Sequence, residues 1–328
     1  MTKPYVFITR KLPEETIVDL LDVADVSMWP YEEEPVPREK LMEEAKKANG
    51  LLTMLSDKID NELINQASHL KVVANLAVGF DNIDVEEATK KGIAICNTPD
   101  VLSDTTADLT FALLMATARR VVEAAQYIKD GQWKNWGPML LAGTDIHHKT
   151  IGIVGMGRIG EAVAKRATGF EMEILYHNRT RKHEAESKLG ANYCSFEELL
   201  KNSDFIVCLA PLTAETRGMF NEQAFKQMKE TAIFINASRG DVVDEQALFY
   251  ALKNGVIKAA GLDVFQNEPI GAEHPLLKLP NLVAIPHIGS ASVETRKVMA
   301  ELASRNIRNV LLDRQPEAIV NHVVLSQS

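Results

Sequence analysis

The stretch Thr150-Ile151-Gly152-Ile153-Val154-Gly155-Met156-Gly157-Arg158-Ile159-Gly160 decides the fold. A short apolar run leads into Gly-x-Gly-x-x-Gly, and Glu161-Ala162-Val163-Ala164-Lys165-Arg166 continues it with helical character. Strand, tight glycine turn and helix N-terminus in that order make a pyrophosphate site for a dinucleotide. Gly155 is expected to permit the turn, Gly157 to let the backbone approach the phosphates, and Gly160 to let the helix pack on the strand. The unpaired N–H groups of the first helical turn and the positive end of the helix dipole then face the anion. Glycines also mark ordinary turns. The triplet carries weight here because the strand before it and the helix after it are both present.

Upstream of the motif, apolar runs alternate with helical ones. Residues 5–9 read as a buried strand. Pro13 opens a helix to about Leu21, in the first turn where its missing N–H costs nothing. Residues 26–29 form a second strand, and 31–37 an acidic, proline-broken surface loop. Residues 38–48 are helical and stop at Asn49-Gly50. Residues 51–55, 71–76 and 93–96 are strands, with helices at 61–67 and at 84–91, the latter ended by Gly92. The alternation implies a parallel sheet covered on both faces. The chain thus opens with one complete α/β unit that carries no glycine fingerprint.

A break follows at Asn97-Thr98-Pro99-Asp100. One long helix is expected from about Ser103 to Lys129, with Leu109, Leu113 and Ala116 on one face. Residues 131–149 contain Trp133, Trp136, Met139 and Leu140 and show no period. A long irregular segment rich in large apolar residues is expected to be covered, for which a second subunit is a candidate. Beyond the glycine motif, residues 172–176, 204–209, 232–236, 259–262 and 282–285 read as strands and 293 to about 314 as a closing helix. The expected fold is therefore α/β with two doubly wound parallel-sheet domains. A Rossmann cofactor domain, residues 102–288, is inserted into a flavodoxin-like substrate domain, residues 1–101 and 289–328. The crossings near 99–102 and 287–290 would form a hinge over a cleft, where open α/β sheets bind their ligands.

Composition narrows the partners. A net charge of -9 over 328 residues argues against nucleic acid as the main partner. The 46% hydrophobic and 25% charged content is ordinary for a globular chain. Cys96, Cys194 and Cys208 form no spaced pattern, and Cys208 sits in the apolar run Phe205-Ile206-Val207-Cys208-Leu209. They read as small buried hydrophobes in a reducing compartment rather than metal ligands or disulfides. Met1-Thr2-Lys3-Pro4 leads directly into a strand-like run with no signal peptide, and no apolar stretch is long enough for a bilayer. The expectation is a cytoplasmic protein with no metal and no membrane partner.

Three segments each place a functional group just after an apolar strand: Ile235-Asn236-Ala237-Ser238-Arg239-Gly240, Gly261-Leu262-Asp263-Val264-Phe265-Gln266-Asn267-Glu268-Pro269, and Ile285-Pro286-His287-Ile288-Gly289-Ser290. Arg239, Glu268 and His287 should converge at the sheet edge where the cofactor lies. Their chemistry suits hydride transfer to a 2-oxo acid. Arg239 holds a carboxylate by its planar fork and polarises the adjacent carbonyl. His287 donates a proton to the oxygen. Glu268 bonds the other imidazole nitrogen and favours the protonated ring. Alone, each has a bland reading as a surface arginine, a loop carboxylate or a strand-end histidine. It is the joint placement downstream of a dinucleotide motif that makes them catalytic candidates.

Over nearly the whole chain these features resemble the D-isomer-specific 2-hydroxyacid dehydrogenases. The resemblance rests on Asn75-Leu76-Ala77-Val78-Gly79-Phe80-Asp81-Asn82-Ile83-Asp84, on the glycine motif and on the three segments above. It is nearest to glyoxylate/hydroxypyruvate reductases and 2-ketogluconate reductases. It implies that Arg239, Glu268 and His287 are catalytic and that the backbone at Val78-Gly79 binds the substrate carboxylate. It also places Asp263 by the nicotinamide carboxamide and implies a dimer built on the long helix and the loop after it. The cofactor-binding candidates are Thr106, Gly155, Gly157, Arg158, Ile159, Gly160, Asn178, Arg179, Thr180, Ala210, Pro211, Thr216, Ala237, Ser238, Asp263 and Gly289. Ser56, Val78, Gly79, Arg239 and His287 are the substrate-binding candidates. Leu55, Ser56, Leu76, Trp136 and Met139 would shape the cleft and select among 2-oxo acids.

One departure matters. NAD-dependent relatives carry an Asp at the end of the strand after the glycine motif, to bond the ribose diol. Here Asn178 stands there, followed by Arg179-Thr180-Arg181-Lys182. That cluster would welcome the 2′-phosphate of NADP, with NAD as a possible second cofactor. A 3-phosphoglycerate dehydrogenase would share these motifs, but many of those carry a further C-terminal domain for which no room is expected after Ser328. A dinucleotide-sensing binding protein is the rival from another class, and it could keep the triad. The absence of long disordered tails weighs against it.

Overall fold

In the computed structural model, which describes residues 3–326, the apolar runs of the first hundred residues become five short parallel strands. The ends at residues 1–2 and 327–328, on which the expectations of no leader and no further domain rest, lie outside the described residues. The strands are Tyr5–Ile8 (β1), Asp25–Met28 (β2), Gly50–Thr53 (β3), Val72–Asn75 (β4) and Ala94–Cys96 (β5). Their order is β2-β1-β3-β4-β5, that of a flavodoxin-like sheet. The register sets Phe7 beside Leu51 and Leu51 beside Val73. Phe7, Leu51, Val73 and Ile95 pack with Leu41, Leu63 and Ile64 from the helices Arg38–Ala45 and Asn61–Gln66. The alternate residues Val6, Ile8, Leu52, Val72 and Ala74 are equally buried, and the helix Val293–Leu311 packs against β3, β4 and β5. Both faces are covered, so the strands read as continuous apolar runs.

The second sheet has seven parallel strands: Thr150–Val154 (β6), Glu173–His177 (β7), Asn192–Tyr193 (β8), Phe205–Cys208 (β9), Ile233–Asn236 (β10), Ala259–Leu262 (β11) and Leu282–Ala284 (β12). The order is β12-β11-β10-β9-β6-β7-β8. Counted from β6, that is the dinucleotide-binding order 3-2-1-4-5-6 with one more strand at the far edge. Phe205 and Val207 face one apolar core, Ile206 and Cys208 the other. The chain divides into two units, residues 1–102 with 291–328, and residues 103–290. The expected α/β architecture of two doubly wound parallel sheets is thus the observed one. Among the described residues no helix is long and apolar enough to cross a membrane.

Three expectations need correction. The single helix from 103 to 129 is two helices, Ser103–Ala118 and Val121–Lys129, separated where Arg120 turns left-handed at φ +53°. The cause is tertiary: the returning chain bonds Thr144 N–H to the Ala118 carbonyl at 2.8 Å, taking an acceptor that a continuing helix would use. The helix expected after Pro13 is a 3-10 turn, Glu14–Thr16, and one short helix, Val18–Leu21, with Pro13 as the cap rather than in the first turn. Both the Thr16 N–H and its hydroxyl bond the Pro13 carbonyl, which closes a tight turn instead of an α-helical one. Strand β8 was not anticipated, because two exposed residues carry no pattern.

Candidate active site

Strand β6 ends at Val154, and Gly155 turns the chain at φ +102°, a conformation that only glycine adopts without strain. A Cβ there would lie 2.6 Å from Ala210 N, so the backbone after β9 also needs the space. The helix Arg158–Thr168 begins at Gly157, which caps it without any side-chain bond. A Cβ on Gly160 would come within 2.3 Å of the Gly155 carbonyl oxygen, so the helix is pressed onto the turn. A Cβ on Gly157 would meet nothing within 4 Å. The open space over that helix end, with Arg158 and Ile159 in its first turn, fits a pyrophosphate.

The other cofactor candidates gather at the carboxyl ends of the same sheet. Ala210 is buried beside Gly155, and the Thr216 hydroxyl donates to the Pro211 carbonyl at 2.6 Å, shaping the loop after β9. Gly289 backs onto both Asp263 and Thr106: a Cβ there would meet Asp263 Oδ2 at 3.1 Å and Thr106 Cγ2 at 3.3 Å. At the end of β7, the Asn178 side-chain amide donates to the Thr180 carbonyl at 2.8 Å. Arg181 is committed elsewhere, to Glu186 at 2.7 and 3.0 Å and over the Tyr193 ring. Tyr176 OH also bonds Glu186, at 2.6 Å. These donors, Arg181 first, pull the Glu186 carboxyl down to about 2. Arg179 is exposed and stands outside this network.

Parallel pairing of β10 with β11 and of β11 with β12 brings the three candidate segments out at one edge. After β10, buried Asn236 holds the turn: its Oδ1 accepts from Ser238 N–H at 3.1 Å and Ser238 Oγ at 2.9 Å, and its Nδ2 donates to the Arg239 carbonyl at 3.0 Å. Arg239 Nη1 donates to the Ser238 carbonyl at 2.8 Å, and Ala237 links the strand end to this turn. After β11, Asp263 is 1% exposed and ties the next strand end down. Its carbonyl accepts from His287 N–H at 2.8 Å and its Oδ1 from Ile288 N–H at 2.7 Å. Burial pushes the Asp263 carboxyl up, against the pull of the Ile288 and Gly289 N–H groups and of the His287 charge.

His287 itself sits at φ +52°, a left-handed conformation uncommon for a residue with a side chain. Its Nδ1 bonds Glu268 Oε2 at 2.6 Å, while Glu268 Oε1 accepts from Phe265 N–H at 2.8 Å. Burial raises the Glu268 carboxyl, but the bond and charge of His287, the Phe265 N–H and the Arg239 charge outweigh it, so the net shift is downward. A carboxylate so held fixes the imidazole orientation and leaves Nε2 as the nitrogen open to a reactant. Arg239, Glu268 and His287 thus form one electrostatically connected group.

In the first unit, the Val78 carbonyl accepts from Asn97 Nδ2 at 2.8 Å and the Gly79 carbonyl from Asn75 Nδ2 at 2.9 Å. With these carbonyls tied down, the Val78 and Gly79 N–H groups donate to no other group among the described residues. That is the arrangement an anion needs. Ser56 is exposed, and its hydroxyl accepts from Arg10 Nη2 at 3.0 Å. Sequence reasoning missed the holding residues Asn75, Asn82, Asn97, Arg10 and Asp57. Asn75 and Asn82 fall in the stretch that carries the resemblance, Asn97 and Arg10 stand just after a strand end, and Asp57 is marked by nothing but a polar residue in a loop. Trp136 and Met139, each 77% exposed, join no side-chain cluster of this chain's catalytic group. The thiols of Cys96 and Cys208 are pushed up by burial to about 12 and about 11, which keeps them unreactive.

Comparisons with known proteins give the family. The family model for the D-isomer specific 2-hydroxyacid dehydrogenase, NAD binding domain, matches residues 111–289. A glyoxylate reductase of Pyrococcus furiosus is 52% identical over 327 residues, 98% of this chain and 97% of the relative. One of Thermococcus kodakarensis is 51% identical over 327 residues, 98% of each chain. Among solved structures, a Thermus thermophilus protein superposes with a TM-score of 0.90 at 45% identity, covering 96% of this chain and 99% of that one. An NADPH-dependent glyoxylate/hydroxypyruvate reductase of Sinorhizobium meliloti, in complex with NADP and malonate, does so at 0.85 and 32% identity, covering 97% of each. Sequence similarity along the full length, the same fold and a nicotinamide-dinucleotide domain place the chain in one family: it is a D-isomer specific 2-hydroxyacid dehydrogenase.

Proposed function

We propose that this enzyme uses NADPH in preference to NADH to reduce small 2-oxo acids, namely glyoxylate, hydroxypyruvate and 2-ketogluconate, to D-2-hydroxy acids. The observation that carries the reading is the 2.6 Å pair of His287 Nδ1 and Glu268 Oε2 within reach of the Arg239 charge. When bound, the reduced nicotinamide supplies the hydride. His287, protonated and oriented by Glu268, gives its Nε2 proton to the 2-oxo oxygen, so the carbonyl gains a proton as well as a hydride and becomes a hydroxyl. Arg239 engages the carboxylate with its planar fork and polarises the neighbouring carbonyl. The Val78 and Gly79 N–H groups contribute to carboxylate binding. Ser238, Asp263, Thr106 and Gly289 line the nicotinamide end, and Arg158 and Ile159 the pyrophosphate.

The 2′-phosphate of NADPH is met by Arg179 and Thr180, with Asn178 replacing the carboxylate that would repel it. Support for this comes from Arg181, whose engagement with Glu186 leaves Arg179 as the available cation. The relatives named as glyoxylate reductases, and the NADPH-dependent neighbour, favour the same substrate and cofactor. The enzyme is a cytoplasmic homodimer in this reading, its interface formed by residues 121–141. Steady-state oxidation of NADPH and NADH with glyoxylate, hydroxypyruvate and 2-ketogluconate tests the proposal. Turnover with at least one acid and a lower KM for NADPH is expected. Dinucleotide binding without oxidation by any of the three would make the protein a sensor instead.

A further inference from the structure

The first unit holds a buried charge pair that the reading above does not use. Arg10 and Asp57 are 8% and 4% exposed and stand in the loops after β1 and β3. The Asp57 carboxylate accepts from the Thr9 hydroxyl, from Met54 N–H at 2.8 Å and from Arg10 Nη1 at 3.4 Å. A buried ion pair is seldom more stabilising than apolar side chains of the same shape, so its use is sought in what it positions. Arg10 Nη2 donates to Ser56 Oγ at 3.0 Å. That oxygen accepts from Arg10, so the hydroxyl of exposed Ser56 keeps its own hydrogen to donate. A hydroxyl polarised by a guanidinium is a strengthened donor, suited to an anion.

The loop after β4 is built into the same frame. Asn82 Nδ2 donates to the carbonyls of Met54 at 3.2 Å and Asp57 at 2.8 Å. Asn82 Oδ1 accepts from Asn75 Nδ2 at 3.1 Å, and that same amide bonds the Gly79 carbonyl. Ser56 and the Val78–Gly79 backbone therefore hang on one side-chain scaffold.

We infer that Arg10 is a positioning residue for substrate: through Ser56 it presents a charge-assisted hydroxyl donor to the anionic end of the 2-oxo acid. The inference rests on the proposed reductase function and on Ser56 lying in the substrate site. It is tested on the full-length enzyme with Ser56→Ala, Arg10→Gln and the double variant. The readouts are kcat and KM for glyoxylate, KM for NADPH, and calorimetric titration with oxalate. Loss of one bond to a charged group predicts a glyoxylate KM and an oxalate Kd raised about tenfold or more, with the larger share of the change in KM and none in the KM for NADPH. Arg10→Gln should add little in the Ser56→Ala background, because it acts through that hydroxyl. Unchanged glyoxylate KM and oxalate Kd in Ser56→Ala overturn the inference, as does a full additional effect of Arg10→Gln on top of it. Arg10→Gln leaves a buried carboxyl already pushed up by burial. If that variant fails to fold, Ser56→Ala decides alone. A wild-type protein that reduces no 2-oxo acid refutes the reductase reading, while the oxalate titration still reports on Arg10 and Ser56.

Discussion

His287 keeps a left-handed backbone that costs on the order of 1–3 kcal/mol for a residue with a side chain. The cost is sustained because Asp263 accepts from the N–H groups of both His287 and Ile288. Such placement suits the proton donor proposed above, whose Nε2 must keep one direction. His287→Ala should lose about 10²–10⁴-fold in turnover with the fold intact, read by steady-state kinetics and circular dichroism. Near-normal turnover would remove His287 from the mechanism. Glu268→Gln keeps a hydrogen-bonding group but drops the charge. Without the carboxylate charge the Nδ1 bond loses its ionic part, so kcat for reduction should drop in this variant, and an unchanged kcat would remove Glu268 from the mechanism. The same pair has a linkage consequence. Glu268 is depressed in the fold, so its stabilising contribution is present above the ordinary carboxylate range and lost as pH falls through the lowered value. The melting temperature of Glu268→Gln should therefore depend less on pH at the acid end. Arg239→Lys retains charge without the fork, and kcat/KM for glyoxylate should still drop severely. Wild-type kcat/KM there would mean that bidentate binding is the wrong picture.

At the scale of elements, the proposed preference for NADPH rests on how β7 ends. The strand stops at His177, and the turn is held by Asn178 to the Thr180 carbonyl and by Lys182 N–H to Tyr176 OH at 2.7 Å. Glu186, on the helix His183–Leu189, withdraws Arg181 from the front of the turn. Two arginines one residue apart in the sequence thus stand in different surroundings. A hydrogen bond to a charged group is worth roughly 1.5–3 kcal/mol, and about 1.4 kcal/mol is tenfold in affinity. Arg179→Ala should accordingly raise KM for NADPH about ten- to a hundredfold and leave KM for NADH almost unchanged. Arg181→Ala should discriminate far less. High salt should narrow the wild-type preference if Arg179 is solvent-exposed in the complex. Equal use of NADH and NADPH by the wild type at low salt would end this account.

At the scale of the molecule, residues 121–141 gather large apolar side chains that this chain leaves exposed. The helix Val121–Lys129 buries none of its residues. Val121, Val122, Ile128, Trp133, Trp136 and Met139 are each more than half exposed. Large apolar side chains gathered in one short segment call for a partner surface, and a two-fold copy of the same segment is self-complementary by symmetry. Sedimentation at micromolar concentration should report a dimer, and Trp136→Glu should shift it toward monomer. A monomeric wild type would leave this surface without its proposed role.

The strands other than β8, their parallel pairing and the dinucleotide turn were legible in the chain itself. Doubly covered strands must be apolar on both faces, and only Gly155, with φ +102°, fits the turn after β6. Arg239, Glu268 and His287 were legible too, because each follows an apolar run by a few residues and parallel strands all deliver their carboxyl ends to one edge. Tertiary structure alone decided the rest. It broke the helix at Arg120, since Thr144 arrives from a loop that no local propensity encodes. It separated Arg179 from Arg181, since Glu186 comes from the next helix. It also paired Arg10 with Ser56 and Asp57, residues about fifty positions away in sequence, whose contact depends on β1 lying beside β3. Periodicity and spacing report which face a residue belongs to. Which partner waits on that face is a property of the packed sheet.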